Sequence, residues 1–204
     1  MLAAHAVQAQ ASASVSLASE YSVRGVSLSD GRAAPQLSVA YDSPQSWYAG
    51  AFAAPRLTLG ERSGVTQLIA YGGYAHRLAS GLSWDAGVSS TSFQHAAEYN
   101  YREFYAGLAA DRVSARLYFA PSYYGYGGRV AYGEVNGFYP LRERIKLIAH
   151  IGALRGPAAN RVDLRLAIGY DAGDCNVQLA WLRNSRRDDA PAPRALSLSA
   201  TYSF

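Results

Sequence analysis

The chain has 204 residues, a formal net charge of +4 at pH 7 and 50% hydrophobic residues, enough for one domain with a sizeable core. No apolar run approaches the roughly 20 residues that a membrane helix needs, and the single cysteine, Cys175, excludes an intrachain disulfide and a cysteine-based metal site. The 16 tyrosines and 19 glycines favour a membrane barrel over a soluble sandwich, because tyrosine prefers membrane interfaces.

The N-terminal segment, residues 1–13, is rich in small residues and contains two sequences that suit cleavage of an export signal. It lacks a basic start and a long apolar core. We therefore interpret it as a residual export signal, with a disordered leader as the alternative. The predicted organisation is this segment followed by one barrel over residues 14–204.

Apolar and polar residues alternate along the rest of the chain, which places them on opposite faces of strands. The alternation is clear in residues 14–24, where Val15 and Leu17 alternate with Ser16. It returns in four further segments, at residues 113–119, 145–151, 162–170 and 196–204. Weaker segments complete about 12 strands, at residues 37–41, 48–52, 65–74, 82–92, 101–110, 130–139 and 177–181. In residues 49–54, 70–74 and 130–139, glycine and tyrosine leave the inner face ambiguous.

The connections between these segments alternate between short and long. Short turns are expected at residues 42–45, 77–80, 111–112, 141–143 and 172–174, and longer loops at residues 25–34, 55–63, 94–100, 123–128, 155–160 and 184–193. Outer-membrane barrels show this pattern, with short periplasmic turns and longer extracellular loops. The pattern puts both termini in the periplasm, and closure follows because hydrocarbon offers no partners to an open sheet edge. The predicted fold is all-β, a transmembrane antiparallel up-and-down β-barrel of about 12 strands in the bacterial outer membrane.

The sequence Tyr-Ser-Val-Arg-Gly-Val-Ser at residues 21–27 resembles the TorF-family porins of proteobacterial outer membranes. In that family the first strand runs into a Tyr-x-x-Arg-Gly-x-Ser motif. The resemblance continues at residues 104–108, 118–128 and 150–152 and in the closing Ser-Phe. It implies an outer-membrane pore. The terminal Phe204 is also the aromatic ending that barrel-assembly machinery commonly reads, so we expect that machinery to be a partner.

The polar face of the predicted strands carries charged side chains that would project into the lumen. Barrel interiors are polar by default, so these groups either pair across the lumen as a polar core or line a solute path. At residues 24–25 the chain either ends the first strand, with Arg24 paired to a neighbouring acid, or binds a ligand. The predicted pore-lining residues are Glu20, Arg24, Asp85, Glu103, Arg116, Tyr118, Lys146, His150, Asp163 and Arg165.

Arginine supplies nearly all the positive charge, and many arginines fall in or beside the predicted external loops. Guanidinium groups bind phosphate through paired hydrogen bonds, so we expect contact with outer-membrane lipids and lipopolysaccharide. A modest anion preference of a pore is the alternative, and nucleic-acid binding is not expected. The arginines concerned are Arg32, Arg56, Arg62, Arg129, Arg155, Arg161, Arg183, Arg186, Arg187 and Arg194.

Catalysis and metal binding find little support in the sequence. A lipid hydrolase needs a nucleophile within hydrogen-bond reach of a histidine, and His95 with Ser90, Ser92 and Glu98 nearby is the candidate cluster. It lacks a recognisable spacing, so no catalytic residue, metal ligand or cofactor is predicted.

The leading hypothesis is a pore for small hydrophilic solutes. A closed structural or surface-interaction barrel is the alternative, and an outer-membrane lipid hydrolase is a second one. The residues expected to set the selectivity of the pore are Glu20, Glu103, Arg116, His150 and Arg165.

Overall fold

The structure, a computed structural model, describes residues 10–124, 128–157, 160–185, 192–193 and 195–204. Its strands are β1 (Gln10–Ala18), β2 (Ser22–Val23), β3 (Val26–Ser27), β4 (Ala34–Asp42), β5 (Trp47–Leu59), β6 (Arg62–Arg77), β7 (Ser83–Gln94), β8 (Tyr101–Ala109), β9 (Val113–Ala120), β10 (Val130–Arg142), β11 (Ile145–Arg155), β12 (Asn160–Ala172), β13 (Cys175–Ser185) and β14 (Leu196–Ser203). A single 3₁₀ turn within this part of the chain covers Ala97–Tyr99.

Twelve of the described strands form one closed antiparallel barrel, in the order β1, β14 and then back through the chain to β4. The pair β2 and β3 forms a separate two-stranded sheet. The predicted all-β barrel of about 12 strands is therefore confirmed. In the described part of the chain, no helix is both long and apolar enough to cross a membrane.

The first strand differs in its extent from the sequence prediction. It begins at Gln10, which lies opposite Asp42 of β4, so residues 10–13 pair in the barrel although we assigned them to the leader. The prediction that this strand continues to residue 24 was wrong, because β1 ends at Ala18. The Ser19 amide still donates to the Leu198 carbonyl (2.8 Å), and the chain then turns into the lumen. Residues 1–9, including most of the predicted export signal, lie outside the described residues.

The outer face of the barrel is apolar, as a surface in contact with lipid requires. Phe104 and Leu117, on neighbouring strands, are 60% and 68% exposed. Aromatic rings form a girdle at the end of the barrel that carries the short connections 43–46, 78–82, 110–112, 143–144 and 173–174, which we call the turn end. The rings of this girdle are Tyr41, Trp47, Tyr74, Trp84, Tyr139, Tyr170 and Tyr202. Aromatic residues prefer this position because it matches the membrane–water interface.

The opposite end, which we call the loop end, holds the buried hydrophobic cluster of the molecule. The long connection predicted at residues 55–63 is mostly strand there, because β5 and β6 leave only residues 60–61 as a turn. Leu57, Leu59 and Val65 on this extension are almost fully buried. Burying a side chain of this size stabilises a fold by roughly 1.5–3 kcal/mol, which explains why pairing continues where a loop was expected.

The inner face explains the ambiguous glycine and tyrosine segments. Inward tyrosine rings lie over glycines of the neighbouring strand, where a larger residue would collide with them. A Cβ atom added to Gly73 would lie 2.7 Å from the Tyr48 hydroxyl oxygen. The directly opposed pairs are Gly50 with Tyr71, Gly73 with Tyr48 and Gly87 with Tyr105. Both residue types therefore belong to the lumen face, and the glycines make room for the rings.

Candidate functional site

The motif at residues 21–27 forms a short β-hairpin, which we call the lumen hairpin. Ser22 pairs with Ser27, and Val23 pairs with Val26. The two residues between them have positive φ, 50° at Arg24 and 75° at Gly25. Two successive positive φ values define the tight type I′ turn that joins paired strands most readily. The motif therefore encodes a turn of fixed shape, with the arginine at its tip.

The base of the lumen hairpin is fixed by hydrogen bonds. Glu20 is 4% exposed, and its carboxylate accepts from the hydroxyls of Ser27 (2.6 Å) and Ser29 (3.3 Å). The Tyr21 hydroxyl donates to the Gln67 side-chain oxygen of β6 (2.8 Å). Glu20 and Ser27, the last residue of the motif, thus stabilise the base of the hairpin. Glu20 lies outside the barrel strands.

The Arg24 side chain crosses the lumen to Glu103 of β8. Its two terminal nitrogens donate to the two carboxylate oxygens at 2.7 and 2.8 Å, and the side chains are 9% and 5% exposed. The guanidinium carbon lies 4.5–5.5 Å from the ring centres of Tyr118, Tyr123 and Tyr132. Burial by itself lowers the pKa of Arg24, but the hydrogen bonds and the charge of Glu103 keep it well above its ordinary value, so the group stays charged. The predicted pairing of Arg24 with an acid is therefore present. The acid, however, lies on the other side of the lumen and not next to Arg24.

The tip of the lumen hairpin packs against the wall formed by β12 and β13. The Asn184 side-chain amide donates to the Gly25 carbonyl (2.6 Å), and Arg161 donates to the Arg24 carbonyl (3.2 Å). A Cβ atom on Gly25 would lie 2.9 Å from Asp163 Cβ and 3.0 Å from Asn184 Cβ. Glycine is therefore required here both for its positive φ and for the close approach.

A cavity of about 630 Å³ lies in the lumen against the hairpin tip. Tyrosine rings, ionisable groups and the hairpin itself form its lining. Of the predicted pore-lining residues, those that line this cavity are Arg24, Glu103, Arg116, Tyr118, His150, Asp163 and Arg165. The structure thus brings together residues from strands that are far apart in the chain.

The other predicted residues also lie inside the barrel but outside the cavity lining. Asp85 of β7 pairs with Arg116 (2.8 Å) and accepts from the Tyr48 hydroxyl (2.9 Å). Lys146 and Asp171 pair at 3.1 Å near the turn end. The Asp85–Arg116 and Lys146–Asp171 pairs therefore each bring opposite charges together inside the barrel, and Glu20 is held by serine hydroxyls at the hairpin base.

His150 belongs to a second polar cluster, formed by side chains of β10, β11 and β12. Its Nε2 atom lies 2.8 Å from the Asp163 carboxylate, and its Nδ1 atom lies 2.7 Å from the Asn136 side-chain oxygen. The Tyr132 hydroxyl lies within hydrogen-bond distance of both His150 and Asp163. Each polar group of the cluster has a partner, so the cluster is pre-organised.

Several lining residues were missed by the sequence reasoning. Gln67, Glu134 and Asn136 line the cavity but sit in segments where glycine and tyrosine obscured the alternation or where a strand boundary was misjudged. Pairing tyrosines with glycines on neighbouring strands would have identified the inner face. That face then includes Glu134, which lies directly opposite Arg116.

Catalytic and metal chemistry have no visible arrangement in the described part of the chain. His95 follows β7, and its carbonyl accepts from Arg62 (2.8 Å). No hydrogen bond among the described residues joins a histidine ring to a serine hydroxyl. Within the same residues, no group of three or more His, Cys, Asp or Glu side chains is placed to hold a metal ion. Arg186, Arg187 and Arg194 lie outside the described residues.

A closed 12-stranded barrel with an apolar outer face and a polar lumen is the architecture of an outer-membrane β-barrel. Residues 3–173 match the family described as "Bacterial protein of unknown function (Gcw_chp)", and the chain belongs to this family. A comparison with curated proteins gives no match.

Solved structures of similar fold are outer-membrane barrels. A KdgM porin in complex with disordered oligogalacturonate matches with a TM-score of 0.63 and 12% identity, covering 96% of this chain and 99% of that chain. The COG4313 outer membrane channel from Pseudomonas putida F1 matches with a TM-score of 0.59 and 12% identity, covering 95% of each chain. The Pseudomonas putida toluene transporter TodX matches with a TM-score of 0.50 and 12% identity, covering 96% of this chain and 89% of that chain.

At 12% identity these matches concern the fold. They place the chain among outer-membrane barrels, and the proteins that it resembles are described as a porin, a channel and a transporter. The TorF-family name suggested by residues 21–27 is not tested by these matches and stays a prediction.

Proposed function

We propose that the protein is an outer-membrane channel for small hydrophilic solutes and that the lumen hairpin forms its constriction. The observation that carries the proposal is the cavity of about 630 Å³ inside a closed barrel, lined by polar and aromatic side chains and bounded by the hairpin tip. The channel-like fold and the TorF-like motif support it. Glu20 acts through the hairpin base, whereas Glu103, Arg116, His150 and Arg165 contribute to selectivity from the lumen wall.

We also infer that the turn end faces the periplasm, which puts both termini there. The connections at this end are short, and those at the loop end are longer except for the turn at residues 60–61, which supports this orientation. Labelling of a cysteine introduced at Glu61, in the turn between β5 and β6, tests it in a Cys175→Ser background. A membrane-impermeant reagent added to intact cells should modify it, and protection from that reagent would reverse the inferred orientation.

The conductance of the purified protein in planar lipid bilayers tests the channel directly. A variant in which two glycines replace residues 22–27 removes the hairpin tip and the Arg24 side chain. We expect discrete channel events from the native protein and a conductance at least about twofold larger from the variant, because a wider pore passes more ions. The Glu98→Gln variant is the control, since Glu98 pairs with Arg62 on the exposed surface (2.8 Å).

A closed structural or surface-interaction barrel is the second candidate. It is favoured by the buried pair of Arg24 and Glu103 among three tyrosine rings, which fills part of the lumen. The same bilayer experiment separates the two. No events from the native protein or from the hairpin variant would support the closed barrel and contradict the channel.

Contacts with lipopolysaccharide and with barrel-assembly machinery are further proposals. Arg32, Arg56 and Arg129 are exposed around the loop end, where phosphate groups of lipopolysaccharide would lie in the inferred orientation. At the turn end, Phe204 is 74% exposed and packs edge-on against Tyr202. Replacing Phe204 with alanine should lower the amount of assembled barrel in outer-membrane fractions, and an unchanged amount would contradict the role of this residue.

A further inference from the structure

Most ionisable groups inside the described barrel are neutralised by a partner of opposite charge. These pairs join Arg24 with Glu103, Arg116 with Asp85 and Lys146 with Asp171. The His150 ring lies 2.8 Å from the Asp163 carboxylate, which is an ion pair when the histidine is protonated. Three cavity-lining residues are not part of any such pair among the described residues: Arg165, Arg183 and Glu134. Arg183 is exposed, whereas the cation Arg165 and the anion Glu134 are half-buried. Arg165 and Glu134 are therefore the half-buried charges of the cavity wall that lack an ion-pair partner among the described residues.

Arg165 projects from β12 into the lumen with a neutral partner. Its guanidinium donates to the side-chain oxygen of Gln178 on β13. Asp163, the nearest inward acid on the same strand, already holds His150 at 2.8 Å and contacts the Tyr132 hydroxyl. A half-buried cation with only a neutral partner carries a desolvation cost that an anionic group can offset.

Glu134 on β10 is likewise a charged group whose hydrogen-bond partner is neutral. The Tyr118 hydroxyl donates to its carboxylate over a long 3.4 Å. Arg116 lies directly opposite it on β9 but donates to Asp85 at 2.8 Å instead. The carboxylate is half-buried and lacks a cationic partner, so a cationic group in the cavity would be stabilised beside it.

We propose that this cavity is a binding site for a zwitterionic solute, with its anionic group at Arg165 and its cationic group at Glu134. The assignment rests on the proposed function, since the solute reaches the cavity through the channel. A solute with both charges offsets both desolvation costs, whereas a singly charged or neutral solute leaves at least one uncompensated.

The register of the sheet limits the spacing of the two charges on the solute. Arg165 lies opposite His150, and His150 lies opposite Asn136, which is one inward position from Glu134. With about 4.8 Å between strands and about 3.3 Å per residue, the two backbone positions are roughly 12 Å apart. After both side chains extend into the cavity, charges separated by several ångströms fit between them, as in a short peptide.

Glycylglycine, which carries an ammonium group and a carboxylate at opposite ends, is the probe for this site. Its binding to purified protein in detergent can be measured by titration calorimetry. Two singly charged analogues provide matched controls: glycylglycine amide lacks the anion, and N-acetylglycylglycine lacks the cation. We expect glycylglycine to bind roughly ten- to a hundredfold more tightly than either analogue, as for hydrogen bonds to charged groups.

Variants assign each charge to its residue. In Arg165→Gln, glycylglycine and its amide should bind equally, and in Glu134→Gln, glycylglycine and its acetyl derivative should bind equally. Lys146→Gln is the control, because it removes a lumen charge outside the cavity lining. Arg165→Lys, which keeps a cation, should retain a preference for glycylglycine over its amide, and this guards against a purely structural effect.

The outcomes separate this inference from the proposed channel. Unchanged ligand preferences in both glutamine variants, or no binding of glycylglycine to a native protein that conducts ions, would overturn the zwitterion site and leave the channel standing. Binding with the expected preferences by a native protein that shows no conductance would overturn the channel and leave the site standing.

Discussion

Two walls of the lumen differ in chemistry although they belong to one barrel. Strands β7 to β12 form a charged wall, with inward Asp85, Glu103, Arg116, Glu134, His150, Asp163 and Arg165. Strands β14, β1 and β4 form a hydroxyl wall, in which small side chains surround the amide of Gln36. The inward hydroxyl residues are Ser14, Ser16, Ser38, Ser197, Ser199 and Thr201. The lumen hairpin leaves β1 on the hydroxyl wall and fixes its tip on the charged wall.

The difference shows how a narrow barrel accommodates an inserted segment. Small hydroxyl side chains leave space for the chain as it enters, and Ser197 also donates to the Glu20 carbonyl (3.3 Å). The charged wall supplies the carboxylate of Glu103, which determines where Arg24 rests. We therefore expect changes at the docking contacts to affect stability most, and changes on the hydroxyl wall to affect conductance with little loss of stability.

The largest expected effect is that of Glu103→Gln, which leaves the buried charge of Arg24 without a counter-charge. Removing one partner of a buried pair destabilises a protein by about 3–5 kcal/mol. Urea unfolding in lipid vesicles, followed by tryptophan fluorescence, measures the free energy of unfolding. The exposed pair of Glu98 and Arg62 is the matched control, with side chains 49% and 55% exposed.

For Glu98→Gln the expected loss is about 0–1 kcal/mol. Combining Glu103→Gln with Arg24→Gln should restore most of the stability, because neither charge then remains buried. Equal losses in the buried and exposed variants would contradict the docking role of the Arg24–Glu103 pair.

Gly25→Ala should have the next largest effect. The methyl group would be held at a φ of 75° and would meet Asp163 and Asn184 at about 3 Å, so we expect a loss of about 2–4 kcal/mol. Gly64→Ala is the matched control, since Gly64 has a φ of 73° and no atom within 4 Å of the added methyl. Its expected loss is about 1–2 kcal/mol from backbone strain alone. A loss no larger at Gly25 than at Gly64 would show that the tip does not press against the charged wall.

Gly87→Ala tests the tyrosine packing behind the charged wall. The added methyl would collide with the Gly72 carbonyl oxygen and would lie 2.5 Å from the Tyr105 hydroxyl oxygen. Overpacking of this kind destabilises a protein by about 1–3 kcal/mol. Gly137→Ala is the control, because its nearest neighbour would lie at an ordinary 3.5 Å. The same urea titration measures both variants, and similar midpoints would argue against close packing at Gly87, by the ring and the neighbouring backbone together, as a source of stability.

The barrel could be predicted from the sequence because its signals are local and repeated. Alternation in segments such as residues 162–170 reports two faces, and that pattern holds whichever strands are neighbours. The Arg24–Glu103 pair could not be found in this way, because it joins residues 79 positions apart. Only the register of the closed barrel brings them together.

The lumen hairpin shows the same limit at short range. Residues 20–24 continue the alternation of β1, so a longer first strand was the natural prediction. The type I′ turn at Arg24 and Gly25 competes with that strand. The hairpin forms instead of the longer strand because its tip makes buried contacts with the lumen wall. The absence of an oppositely charged partner for Arg165 and for Glu134 is likewise visible only once the neighbouring acids and bases are seen to be engaged elsewhere.

The smallest effect on stability is expected on the hydroxyl wall. Ser199 points into the lumen from β14, opposite Ala18 of β1, and Ser199→Trp adds bulk where the lining is small. Because conductance depends on the free cross-section, we expect the single-channel conductance to fall to roughly half while the free energy of unfolding changes by less than about 1 kcal/mol. Ala200→Trp, on the outer face, is the control and should leave conductance unchanged. If Ser199→Trp also leaves it unchanged, ions must pass along the charged wall, and the small side chains serve only to admit the hairpin.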